Sequence, residues 1–229
     1  MLLTDVTERL QDYERSGLHY HLAAVEIYAK RRKISDVLST SFQPYIIAGL
    51  ISYDMARNIG TDPYVIFAER LKKKLEELQP ILAPLTSLSL STVNLDEHKK
   101  AIQHAFDTLS ECGPNGLHVK HDSHFYVGAT KILHWLNPEL FLIVDSYIAT
   151  AFHHNPNKDE CIEIIRHGSP WYSSETYLKC LFLAQREIQE YGEESLRKDG
   201  YGLPLTNIYG NVAFQYGKEI IMKRDIKLR

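Results

Sequence analysis

The chain has 229 residues, with 44% hydrophobic and 24% charged residues, and 26 Lys and Arg set against 29 Asp and Glu for a net charge of -3. That is one large domain or two small lobes with ample material for a core, which excludes global disorder. The near balance of charge argues against broad, non-specific phosphate binding, although it leaves room for a local basic patch.

At the N-terminus, MLLTDVTERLQDYER sets Asp5 and Glu8 among the apolar side chains, so no signal-peptide core forms. No apolar run approaches the ~20 residues needed to span a bilayer. A soluble, cytoplasmic chain without a membrane partner is therefore expected. Apolar residues recur at three- and four-residue spacing, the period of a helix rather than a strand. A first helix is predicted over residues 4–16, stopped by Gly17. A second is predicted over 20–33, with Leu22, Val25 and Ala29 on one face. Its basic end, Lys30 to Lys33, opposes the negative end of the helix dipole. Residues 35–43 are ambiguous. Pro44 opens a periodic helix over 44–58, with Ile47, Leu50, Ile51 and Met55 facing inward, and Gly60 ends it. Thr61-Asp62-Pro63 is a restart signal, and the helix it opens is halted by Pro80. Segment 80–93, with Pro84 and many Ser and Thr, reads as a loop or lobe boundary, with a short strand at 88–93 as the alternative.

Asn94 or Asp96 caps the next helix, which carries Ala101, Ala105, Phe106 and Leu109 and ends at Gly113-Pro114. A polar, His-rich connection follows over 115–123. Helices are predicted over 125–136 and 145–154, separated by Asn137-Pro138, with a turn at 155–157. A short helix over 160–167 ends at Gly168-Ser169-Pro170. Ser173 or Ser174 then caps a long amphipathic helix reaching Arg197, and residues 200–204 separate it from a last helix, Leu205 to about Met222. The sum is all-α: one compact domain of short and medium helices over residues 1–229, with 80–93 as the candidate boundary between two lobes.

Chemistry concentrates in VGATKILHWLNPELFLIVDSYIATAF, residues 127–152. A glycine precedes a helix bearing Lys131, a Pro-containing turn follows, and Val144-Asp145-Ser146 opens the next helix. Asp145 stands where a carboxylate caps a helix and is held by its first amides. This stretch resembles the helix–hairpin–helix DNA glycosylases, in which a Gly-Val-Gly-type hairpin leads into a helix that in some members carries a nucleophilic lysine. A Val-Asp-Thr-His-like sequence then supplies an essential aspartate at the start of the following helix. Val127-Gly128 corresponds to the hairpin, Lys131 to the lysine, and Val144-Asp145-Ser146-Tyr147 to the aspartate motif.

The resemblance implies DNA as partner and base excision as activity, with Lys131 as nucleophile, Asp145 as stabiliser of positive charge, and no cofactor. A flipped base needs an aromatic or apolar slot, for which Trp135, Tyr147 and Trp171 are the candidates. Gly128, Lys223, Arg224 and Lys227 are the candidates for the nucleic-acid backbone, since the C-terminal cluster alone lacks comparable acidic compensation. The plainer reading makes Asp145 a cap, Lys131 a solvated surface charge and Trp135 core, and the chain a non-catalytic helical interaction protein.

His118, His121 and His124 follow an H-x2-H-x2-H pattern, but positions six apart drift off one helical face and no further ligand motif supports them, so no metal is expected. Cys112, Cys161 and Cys180 form no CxxC and are expected to be reduced and mostly buried. Lys72-Lys73-Lys74, flanked by Glu69, Glu76 and Glu77, reads as a salt-bridged solvent face.

Overall fold

The computed structural model describes residues 2–15, 46, 64–112, 125–155, 162–166, 169–170 and 172–227. The predicted helices over 20–33 and 44–58 lie outside these residues, apart from the buried, helical Ile46. So do segment 35–43, the restart at Thr61-Asp62-Pro63, the His118/His121/His124 series, Cys161 and Trp171.

The fold is all-α. Among the described residues eight helices follow one another: α1 (Val6–Arg15), α2 (Tyr64–Leu82), α3 (Leu95–Ser110), α4 (Tyr126–Leu136), α5 (Ser146–His153), α6 (Ser174–Tyr191), α7 (Glu193–Asp199) and α8 (Leu205–Lys227). A 3-10 turn, Ala83–Ser87, continues α2, and Ile165–Arg166 pairs antiparallel with Ser169–Pro170.

α8 is the axle of the described residues. From Leu205 to Ala213 every position is buried, so this half of the helix is covered on all sides. α5 lies closest to it. A methyl built on Gly217 would land on the Tyr147 carbonyl oxygen of α5, so glycine is what permits this approach. On another side α1 packs through Tyr13, whose ring meets Phe214 edge-on at 5.6 Å. Arg9 binds Glu219 through both Nη atoms, at 2.6 and 3.4 Å, with its guanidinium over the Tyr216 ring. A buried carboxylate, Glu187 of α6, draws three elements together by accepting from the Leu2 amide (2.8 Å), the Tyr209 hydroxyl (3.0 Å) and the Asn155 amide (3.2 Å).

Several local expectations are corrected. Helix α2 does not stop at Pro80 but runs on to Leu82 and then tightens into the 3-10 turn, with Leu78, Leu82 and Leu85 all buried. The loop expected over 80–93 is found only from 88 onward, where the Ser89 carbonyl accepts from the amides of Thr92 and Val93 and the alternative strand is absent. The described part of 160–167 is extended, because Ile162 and Ile164 are buried while Glu163 between them is exposed, an alternation of period two. The predicted helix from Ser173 to Arg197 is two helices, broken at Gly192, whose φ of 91° only glycine adopts readily. α8 continues to Lys227 rather than ending near Met222.

Other readings hold. Asn94 caps α3 and Ser173 caps α6. Lys72 and Lys74 pair with Glu76 and Glu77 on an exposed face, and Lys74 also reaches Glu111 at 2.7 Å. Cys112 and Cys180 are buried free thiols, pushed by burial up to about 12 and higher still, respectively. No helix among the described residues is long and apolar enough to cross a membrane.

Candidate functional site

α4 carries its lysine inside. Every residue from Gly128 to Leu136 is buried, Lys131 included at 4% exposure, so the surface charge of the plainer reading is absent. Gly128 owes its identity to packing, since the Phe125 ring folds back over the helix start and fills the space a side chain would need. Phe125 in turn meets Phe67 of α2 at 5.5 Å.

The chain leaves α4 at Asn137, turns, and returns without regular structure through residues 141–145. Two bonds fix the return. The Val144 amide donates to the Thr130 hydroxyl at 3.2 Å, joining it to α4, and the Tyr177 hydroxyl of α6 donates to the Leu142 carbonyl at 3.0 Å. Asp145 then caps α5, one carboxylate oxygen accepting from the amides of Tyr147 (3.0 Å) and Ile148 (2.9 Å). Part of Asp145 remains exposed, yet burial pushes its carboxyl above the usual aspartate range. The Ile148 amide, the Lys131 charge and the Tyr147 amide pull against that shift. Lys131 and Asp145, on separate helices, therefore share one electrostatic environment.

Tyr172 belongs to the same place. It stands one residue before the cap of α6, and its hydroxyl is held protonated far up the scale by burial, by the negative charge of Asp145 and by Cys180. Its ring is 5.9 Å from that of Tyr126, the first residue of α4. Sequence reading passed over both tyrosines. The available signal was position: one opens the lysine helix and the other precedes the Ser173 cap.

The remaining candidates separate. Trp135 is in the core, 2% exposed, and presents no open face for a base. The Tyr147 ring turns toward α8 and packs on Phe214 at 4.7 Å. Lys223 is exposed near the end of α8; Arg224 and Lys227 lie farther along that helix, their side chains outside the described residues, as is Trp171. Among the described residues no group of three His, Cys, Asp or Glu is arranged to hold a metal ion.

Beside the site is a second buried polar group. His134, one turn after Lys131, has its Nδ1 2.7 Å from the Phe141 carbonyl, which can only accept, so Nδ1 carries the proton. Burial lowers this imidazole to about 4, with the Phe141 carbonyl and Asn207 opposing the shift. Thr206 closes the cluster, its hydroxyl 2.6 Å from the Pro138 carbonyl and 2.8 Å from that of Phe141.

No protein-family model matches the chain, and no characterised protein or solved structure is significantly similar to it.

Proposed function

We propose that the chain is a helix–hairpin–helix glycosylase-like protein that acts on DNA by base excision, with Lys131 as nucleophile and Asp145 as stabiliser of the developing positive charge. The observation that supports this reading is the electrostatic coupling of Lys131 on α4 to Asp145 at the start of α5. In this chemistry the neutral Lys131 amine attacks C1′ of the damaged nucleoside. The glycosidic C–N bond breaks and its electron pair leaves with the base, which takes up a proton. As the sugar ring opens, the C1′–O4′ electron pair goes to O4′, which takes the remaining proton of the amine and leaves an imine between C1′ and Nζ. Through the bond-breaking step the sugar carries positive charge, which the Asp145 carboxylate opposes from a fixed position on the helix cap.

A second reading has its own support. Gly128 and Trp135 are both accounted for by packing, and Lys131 is buried. A helical interaction protein would use Lys131 and Asp145 as an internal charge pair and nothing more.

Borohydride trapping on abasic and lesion-bearing duplexes separates the two. Glycosylase chemistry gives a covalent protein–DNA adduct that Lys131→Gln abolishes and base excision that Asp145→Asn abolishes, both variants remaining folded by circular dichroism. A wild-type protein that neither traps on abasic DNA nor excises any of a broad panel of lesions leaves the interaction-protein reading in its place.

A further inference from the structure

Four aromatic rings from three helices and the approach to α6 form a continuous file. Tyr177 of α6 stacks on Phe106 of α3, with centroids 4.9 Å apart and planes at 21°. Phe106 stacks on Tyr126 of α4 at 5.9 Å and 9°, and Tyr126 meets Tyr172 at 5.9 Å and 46°. The inner end is closed: Phe106 has no exposed surface, and the Tyr177 hydroxyl is tied to the Leu142 carbonyl. At the outer end Tyr126 and Tyr172 both keep part of their surface open.

That open end is joined to the elements that carry the charged pair. Tyr126 lies on the same helix as Lys131, and the carboxylate of Asp145 acts on the Tyr172 phenol. α6 is anchored by Tyr177 to Leu142, three residues before Asp145, and by Ser174 to Asp107 of α3 at 2.9 Å. Tyr172 therefore stands two residues before a helix start that is tied to α3 and to the chain leading into Asp145. An aromatic face at the end of a buried stack, beside groups that bond polar ring edges, is a platform for a planar heterocycle.

We infer that Tyr172, backed by Tyr126, is the platform on which an unstacked nucleobase rests beside Asp145 and Lys131. This rests on the proposed action on DNA for its ligand, but it assigns the stacking role to residues that neither the lysine nor the aspartate motif contains. Stacking needs the ring and not the hydroxyl, so Phe preserves it, whereas Leu keeps the apolar volume and removes the π-face.

The probe is a single-stranded oligonucleotide carrying one 2-aminopurine, whose fluorescence is quenched when the base stacks on an aromatic ring. Wild type and Tyr172→Phe should quench and bind alike, while Tyr172→Leu and Tyr172→Ala should lose quenching and bind about ten-fold more weakly, the usual effect of removing one stacking ring. Trapping of the wild type on abasic DNA, which has no base to stack, reports the Lys131 chemistry separately from the platform. Quenching that survives in Tyr172→Leu, or a wild type that never quenches, overturns the platform and leaves the Lys131 chemistry to be judged by trapping. Quenching that depends on Tyr172 without any trapping sustains the platform as a nucleobase-binding site and removes the base-excision reading.

Discussion

Gly217 of α8 lies directly on the Tyr147 carbonyl of α5, close enough that a methyl would overlap that oxygen and crowd the Ala151 amide. Both obstacles are backbone, so neither yields by a rotamer change. Gly217→Ala should therefore destabilise the protein by about 1–3 kcal/mol, despite alanine's higher helix propensity. A denaturant midpoint equal to wild type would show that the two helices part more easily than their packing implies.

Asp145 offers a separable pair of effects. Asn retains an oxygen for the amides of Tyr147 and Ile148 but removes the charge, whereas Ala removes both. Asp145→Ala should cost about 1 kcal/mol of stability and Asp145→Asn much less, since Asn caps nearly as well as Asp. Thermal melts of the two variants check this order, and reversal of it would mean that the charge, not the cap, holds the start of α5.

His134 gives the fold a pH dependence with a defined sign. Its folded value, about 4, lies below the ordinary 6.5, so between these values the unfolded chain binds more protons. Stability from this group is fully present above about 6.5, falls as pH drops toward 4, and falls no further below that. The loss is on the order of 3 kcal/mol across the window. Urea unfolding at pH 7 and pH 4.5 should show it, and His134→Gln should flatten the difference. An unchanged difference in that variant would assign the acid sensitivity to other groups.

Glu187 accepts from an amide, a hydroxyl and a carboxamide while buried at 1% exposure. Glu187→Ala leaves those donors unmatched in the interior, at a cost of about 1–3 kcal/mol for each one that water cannot reach. The variant should melt well below wild type, and hydrogen exchange at the Leu2 amide should rise first. A melt within a degree of wild type would mean that water replaces the carboxylate.

If DNA is bound through the end of α8, neutralising Lys223, Arg224 and Lys227 together should weaken binding equally for all sequences. The slope of log K against log salt should become shallower by roughly 0.9 for each phosphate that no longer meets a cation. Binding that ignores salt would remove this tail from the interface.

Much of the fold was legible because helices are written locally. The caps at Asn94, Asp145 and Ser173 are each visible as a polar residue before an apolar-periodic run, and each is where the helix starts. Gly192 was harder. One glycine costs a helix only about 1 kcal/mol against alanine, so pattern alone did not break the run to Arg197; the backbone turn there did. Lys131 looked solvated because lysine usually is, and only the arrangement of neighbouring helices buries it. The stack ending at Tyr172 draws on α3, α4 and α6, and no window of sequence contains it. Glu187 was hidden for the same reason: on an amphipathic helix it reads like its exposed neighbour Glu190.

The connection after α2 holds one further consequence. Its carbonyls are gripped by side chains from elsewhere: Leu85 and Leu88 by the Asn137 amide, Leu90 and Val93 by Gln185, and Ser91 by Gln189. The Leu90 amide donates to the Glu139 carbonyl, and the Ser91 hydroxyl to Glu193, which also binds Arg197. A segment rich in Ser and Thr ordinarily exchanges its amide hydrogens quickly and is an early target of proteases. Here local opening would strip partners from the turn after α4 and from α6 at once. The Leu90 amide should accordingly exchange at the rate of those helices, and a protease should cut near it only when they unfold.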